Sequence, residues 1–289
     1  MFGLKTLLAA VAVGATTVQP VFARVYNHHV SNHTAVLGYV QIFYDNAESK
    51  TEVLHKDLGN GIQPHDFVYD DPRATWRDST NIKIGVKEGR ISKDENLHDP
   101  VGWYYKSITA WTENSSCSRV EFDIAVLDSS IPGATETAVA TGQTDLSLVQ
   151  ADLTQVGFVE SDKIPVFRRG TGILGACFTM LWSDEHGNFT DYDNDGKLDV
   201  AFREIYYNDL FRWSDIDEVP PFHIDFPTIA VHEVGHGLSL SHFGTVQRTK
   251  DGLTVKPRAV MSPIYDGKLR EPTGRDKGAF CNAWANWPH

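Results

Sequence analysis

Three histidines within eleven residues set the tightest limit on how this chain can fold. They lie in the run His232-Glu233-Val234-Gly235-His236-Gly237-Leu238-Ser239-Leu240-Ser241-His242. The approach Pro227-Thr228-Ile229-Ala230-Val231 favours a helix, which puts His232 and His236 one turn apart on one face, their imidazoles converging. Glu233 then falls on the adjoining edge, where a carboxylate reaches a water on the shared ion without ligating the ion itself. His242 follows His236 by six residues, too far along a continuing helix to meet the same point. The backbone must therefore turn, and Gly237 and Ser239 are the residues at which it can. Three imidazoles with an open fourth position form the catalytic rather than the structural zinc pattern.

This run resembles the H-E-x-x-H-x-x-G-x-x-H signature of the metzincin metallopeptidases. Downstream, Ala259-Val260-Met261-Ser262-Pro263-Ile264-Tyr265 is similar to their Met-turn, and its Met-x-Pro-x-Tyr form points to the matrixin branch. Asp225-Phe226-Pro227, leading into the helix, is also similar to the matrixin approach. One residue departs from the pattern: Ser239 stands where the family has glycine. A serine there costs roughly 1–2 kcal/mol if it adopts a left-handed conformation. The resemblance implies that Met261 forms a hydrophobic floor under the histidines without ligating. It also implies that Pro263, Ile264 and Tyr265 wall the pocket for the residue after the cut.

Residues 1–23 carry Lys5, an apolar run over 7–15 and small residues around Val21-Phe22-Ala23, which reads as a secretory signal peptide with the mature chain starting near Arg24. The apolar run is about half the ~18–20 residues that a membrane span needs. A formal net charge of −12, with no basic cluster, disfavours a nucleic-acid surface and suits a secreted protein. Three cysteines, Cys117, Cys177 and Cys281, allow one disulfide, and the sequence does not say which two pair.

Residues 24–87 read as an N-terminal extension or propeptide whose last strand, marked by the alternation of Ile82, Ile84 and Val86, already belongs to the main sheet. Latent matrixins place a prosegment cysteine on the zinc. Here no cysteine precedes Cys117 and no Pro-Arg-Cys-Gly motif occurs, so that route to latency is not supported. Residues 88–289 read as the catalytic domain. Asp99-Pro100 opens a helix with Val101, Tyr104, Tyr105, Ile108 and Trp111 at helical spacing. Strands are expected over Val120, Phe122, Ile124 and Val126, over 144–149, and over 173–182. Val200-Ala201-Phe202-Arg203-Glu204-Ile205-Tyr206-Tyr207-Asn208 resembles the last sheet strand of matrixins, and Thr273 to Asp276 reads as a capping box opening a terminal helix through Trp284. The expected class is α+β: a twisted, mostly parallel sheet with a zinc helix, and a small C-terminal subdomain holding the Met-turn and the terminal helix.

Between two of these strands lies Asp191-Tyr192-Asp193-Asn194-Asp195-Gly196-Lys197-Leu198-Asp199. Carboxylates at loop positions 1, 3, 5 and 9, with glycine at 6, are calcium chemistry. Asp191, Asp193, Asp195 and Asp199, with the Lys197 carbonyl, are the expected ligands. Phe202 stands where an EF-hand has its glutamate, so the loop is expected to join strands rather than helices.

The expected function is a secreted zinc endopeptidase, monomeric and acting on protein or peptide, in which Glu233 is general base to a water activated by zinc. Two alternatives use the same motif: a secreted zinc-binding module that does not hydrolyse, and a zinc hydrolase of small molecules. An intact Glu233 argues against the first, because a binding module has no use for a base beside an open metal position.

Overall fold

The computed structural model describes residues 34–45, 57–113, 116–249 and 252–287; the expected leader, residues 1–23, lies outside them. The N-terminal part supplies β1 (Thr34–Asp45), β2 (Asp57–Ile62), β3 (His65–Asp66) and β4 (Ile82–Val86). Then come α1 (Pro100–Thr112), β5 (Phe122–Val126), α2 (Ala134–Thr141), β6 (Leu153–Val159), β7 (Ile173–Ser183) and β8 (Leu198–Asn208). The chain finishes with β9 (Trp213–Ser214), β10 (Ile224–Asp225), α3 (Phe226–Gly237), β11 (Leu240–Thr249), β12 (Gly252–Lys256), β13 (Ile264–Tyr265) and α4 (Gly274–Trp284). The fold is mixed α+β, with four α-helices among the described residues and a mostly parallel main sheet.

The main sheet has eight strands, seven of them in the order β13-β1-β7-β8-β6-β4-β5, with β3 paired to β8 off that path. Only β7 runs antiparallel to its neighbours β1 and β8; the other pairs are parallel. Strands from both sides of residue 88 therefore share one sheet. A second sheet orders β12-β11-β2.

Every residue of β6 and β7 is buried, as expected where a sheet is covered on both faces. On one face Leu174, Cys177 and Leu181 of β7 join a core with Ile108 and Trp111 of α1 and Ile229 and Val234 of α3. On the other face Ile173, Ala176 and Phe178 pack with Val156 and Phe167, while Met180 and Trp182 pack with Ala134 of α2. The two central helices are locked together by Trp111, whose Nε1 donates to the Val231 carbonyl at 3.0 Å. Phe226, at the start of α3, meets the rings of Tyr104, Phe158, Tyr207 and Trp213, with centroids 5.0–5.8 Å away.

α1 begins as its sequence demands, with the Asp99 carboxylate accepting from the Gly102 amide at 2.9 Å and Pro100 in the first turn. The strand expected over 144–149 does not form. Leu146–Leu148 is a short 3-10 turn, because the Asp145 carboxylate takes the Ser147 amide and hydroxyl locally and so competes with ladder formation. The nearest true strand, β6, starts four residues later. α2 was not foreseen; its first amides, Ala134 and Thr135, donate to the buried Glu204 carboxylate of β8 at 2.8 and 2.7 Å. Cys117 pairs with Cys281, tying the segment after α1 to α4, and Cys177 is free and buried. No helix among the described residues is long and apolar enough to cross a membrane.

Candidate metal centre

α3 is buried on every side, so its polar residues can exist only if each has a purpose or a partner. Its start is fixed by Asp225, whose carboxylate accepts from the Thr228 amide and hydroxyl at 3.1 and 2.6 Å and pairs with Arg270 at 2.6 Å. Its end is the turn that the histidine spacing requires. Leu238 closes the helix, and Ser239 takes φ +67°, the left-handed conformation that favours glycine. Gly237 does not share the bend. It stays helical, and its bare α-carbon makes room for Leu153, whose methyls lie 2.7 Å from where a β-carbon would be.

A buried arginine offsets the strain at Ser239. Arg203, fully buried in β8, donates through Nη1 to the Ser239 hydroxyl and to the Gly237 carbonyl, both at 2.9 Å. Its Nη2 donates to Gln63 Oε1 at 2.9 Å, and Gln63 Nε2 in turn caps the carbonyls of His236 and Leu240 at 3.2 and 2.7 Å. A charged hydrogen bond is worth about 1.5–3 kcal/mol, which matches or exceeds the roughly 1–2 kcal/mol cost of the left-handed serine. The glycine of the resembled motif is thus replaced by a serine with an anchor.

Beyond that turn, His242 on β11 comes back to the helix. Its Nε2 lies 3.1 Å from Nε2 of His232 and 3.1 Å from Nε2 of His236. His232 and His236 are wholly buried, and His242 is partly exposed. The Nδ1 atoms of the two helical histidines face carbonyls, Val260 at 2.6 Å and Leu240 at 2.7 Å. Donation from Nδ1 turns both Nε2 lone pairs toward the common point, the arrangement that orients metal-ligating imidazoles. Burial, foremost, holds all three histidines below their usual pKa, His236 at about 3, so they are neutral donors. Three lone pairs aimed at one point repel unless a cation lies among them. A tetrahedral zinc with ligands at ~2.0–2.1 Å spaces its nitrogens ~3.3–3.4 Å apart, close to the spacing seen here.

Glu233 supplies a second test of fit. It is fully buried, and among the described residues neither carboxylate oxygen has a hydrogen-bond partner. Burial alone pushes its pKa well up. Its space comes from Gly175 on β7: a β-carbon there would lie 2.7 Å from Oε1. Such a carboxylate is costly unless a ligand, an ion or a reacting water completes its surroundings. The donor set and this carboxylate together fit a zinc site with an adjacent base.

Met261 is buried beneath the helix, and a β-carbon on Gly235, between the two helical histidines, would lie 2.3 Å from its sulfur. The turn at Val260-Met261 is held by Asp276 of α4, whose carboxylate accepts from the Val260 and Met261 amides at 2.9 and 3.0 Å. Pro263 and Ile264 are buried, and the half-buried Tyr265 accepts from the Asp225 amide at 3.1 Å through its hydroxyl.

The acidic loop is assembled only in part. Asp191, Asp193 and Asp195 bring carboxylate oxygens within 4.8 Å of one another. Asp199 does not join them, because its carboxylate binds Arg73 at 2.8 Å and Thr190 at 2.5 Å. The Lys197 ammonium lies against Asp195 at 2.8 Å and also against Asp66, so a side-chain cation already serves this corner.

The histidines, Glu233, Met261 and the Pro263-Ile264-Tyr265 segment were all visible in the sequence. Arg203, Gln63, Gly175 and Asp276 were not. Arg203 sits in a strand that also carries Asp199 and Glu204, and Asp276 showed only as part of a capping box, so neither announced its contact with the site. A scan against protein-family models and a search of curated proteins found no match to this chain.

Proposed function

We propose that this chain is a secreted zinc-dependent endopeptidase, of the matrixin-like kind that its histidine run and Met-turn resemble. The observation that carries this reading is the buried carboxylate of Glu233, without a hydrogen-bond partner among the described residues, beside three converging imidazole nitrogens. His232, His236 and His242 would hold the metal. Zinc, when bound, supplies Lewis acidity that polarises the scissile carbonyl and makes a water acidic near neutral pH.

Glu233 accepts the proton of the attacking water and delivers it to the leaving amine, so no covalent intermediate with the chain is needed. Gly175 leaves the carboxylate space to do so, and Met261 fixes the level of the helix below. Pro263, Ile264 and Tyr265 wall the pocket for the residue after the cut. Calcium in the Asp191–Asp193–Asp195 corner would be structural, and the chain would act as a monomer on protein or peptide.

The deciding experiment compares the parent with Glu233→Ala, measuring bound zinc and cleavage of a peptide library. Each should hold about one zinc, and only the parent should cleave. Equal cleavage by both would remove Glu233 from the mechanism, and a zinc-loaded parent that cleaves nothing would remove the endopeptidase reading.

A further inference from the structure

The expected active centre lies between two segments of chain. On one side is β7, whose Gly175 makes room for Glu233. On the other is β13, which starts three residues after Met261. Another stretch of the same polypeptide runs between them. β1 pairs antiparallel with β7 along its length, with Gln41 opposite Cys177, Ile42 opposite Ala176 and Phe43 opposite Gly175. At its end β1 also pairs in parallel with β13, Tyr44 opposite Ile264 and Asp45 opposite Tyr265. The backbone of residues 43–45 thus bridges the two walls beside the catalytic carboxylate.

A polypeptide must be extended to be cut, and an extended peptide adds most readily to an open sheet edge through main-chain hydrogen bonds. Without β1, β7 is that edge, and its Gly175 is the point nearest the base. With β1 in place, the edge is filled. β1 suits the role, since Thr-Ala-Val-Leu-Gly-Tyr-Val-Gln-Ile-Phe-Tyr-Asp has no proline and no basic residue to blunt pairing. The chain that follows cannot leave with it. β2 pairs with β11, the strand of His242, and Gln63 caps the end of α3. Any segment removed from the site is therefore β1 alone, and residues 57–87 remain as part of the scaffold.

We propose that β1 is an inhibitory strand acting in cis, with residues 43–45 holding the backbone position between β7 and β13 that a substrate must take. The proposal rests on the endopeptidase reading. It would supply latency without a cysteine on the metal, in a sequence whose first cysteine is Cys117.

The test uses the zinc-loaded full chain. Val40→Pro and Gln41→Pro are made separately, because neighbouring amides of a strand point to opposite edges and one of the two must remove a bond to β7. In the active background, that variant should cleave a quenched peptide at least tenfold faster than the parent. In a Glu233→Ala background, it should bind a labelled peptide copying Thr34–Asp45 at least tenfold more tightly than the chain with β1 intact. Since a proline can also unfold the sheet, both measurements are repeated on a chain with an inserted protease site between residues 45 and 57, before and after cutting and dilution. Cleavage or binding unchanged by both devices overturns the inhibitory strand. Enhanced peptide binding with no cleavage by any form leaves the strand standing and overturns the endopeptidase reading instead.

Discussion

The histidine turn and the acidic loop both look like metal sites in the sequence, yet they are built on different physical terms. In the turn, His232 and His236 are buried, their Nδ1 atoms face the Val260 and Leu240 carbonyls, and the Nε2 atoms of all three histidines converge. In the loop, Asp191 accepts from the Asp195 and Gly196 amides, Asp195 accepts from the Lys197 amide and ammonium, and Asp199 is taken by Arg73. The loop settles most of its charge within itself and the turn does not. A binding site is marked less by which donors are present than by their being aimed at one point.

The sharpest way to break that contrast is to remove each ion. Stripping zinc with a chelator should bring cleavage to background and lower the unfolding midpoint, since an ion held at ~1,000-fold above its Kd contributes ~4 kcal/mol. Asp191→Asn combined with Asp193→Asn should change cleavage by less than about twofold and stability by about 1 kcal/mol or less. A reversed order in calorimetry would mean the loop, not the turn, is the principal metal site.

Next comes the anchor. Arg203→Met strands the Gly237 carbonyl and the Gln63 amide oxygen inside the protein, and urea unfolding should show a loss of about 2–4 kcal/mol with weakened zinc retention. A loss below about 1 kcal/mol would show that the turn holds itself. Ser239 divides the same effect more finely. Ser239→Ala keeps the left-handed strain and loses the hydrogen bond, for about 1–3 kcal/mol, whereas Ser239→Gly loses the bond but relieves the strain and should stay within about 1 kcal/mol of the parent. If the alanine and glycine variants unfold alike, strain at this position has no energetic weight.

The smallest effect is a pH slope. His65 is buried with Nδ1 2.9 Å from Arg203 Nη2, and burial, then the arginine charge, holds its pKa well below the usual value. The unfolded chain takes up that proton near pH ~6.5. The folded state is therefore favoured above that pH and loses stability as pH falls beneath it. His65→Gln should flatten the decline relative to the parent, and an unchanged slope in acid titration would assign it to other groups.

Much of this arrangement was legible before any coordinates. A cap at Asp99, an alternation at Ile82, Ile84 and Val86, and a histidine spacing that demands a turn are local signals, and local physics decided them. What escaped was contact between distant residues. Nothing near Ser239 in the chain announces that Arg203, thirty-six positions earlier, will hold its hydroxyl. Nothing near Asp199 announces that Arg73 will claim it and so withdraw it from the acidic corner. Residues 144–149 misled because their alternation fits a strand, while the Asp145 carboxylate takes the Ser147 amide and hydroxyl on the spot. The pairing of Cys117 with Cys281 across 164 residues is of the same long-range kind.

That long reach has a consequence for when the three-histidine turn can form. Gln63 braces the end of the histidine helix through the His236 carbonyl, Trp284 braces it through the Leu238 carbonyl at 2.8 Å, and Asp276 holds the Val260–Met261 turn beneath it. A chain that has not yet reached residue 284 lacks one of the braces on the end of the histidine helix. Assembly of the three-histidine turn therefore draws on residues far apart in the sequence.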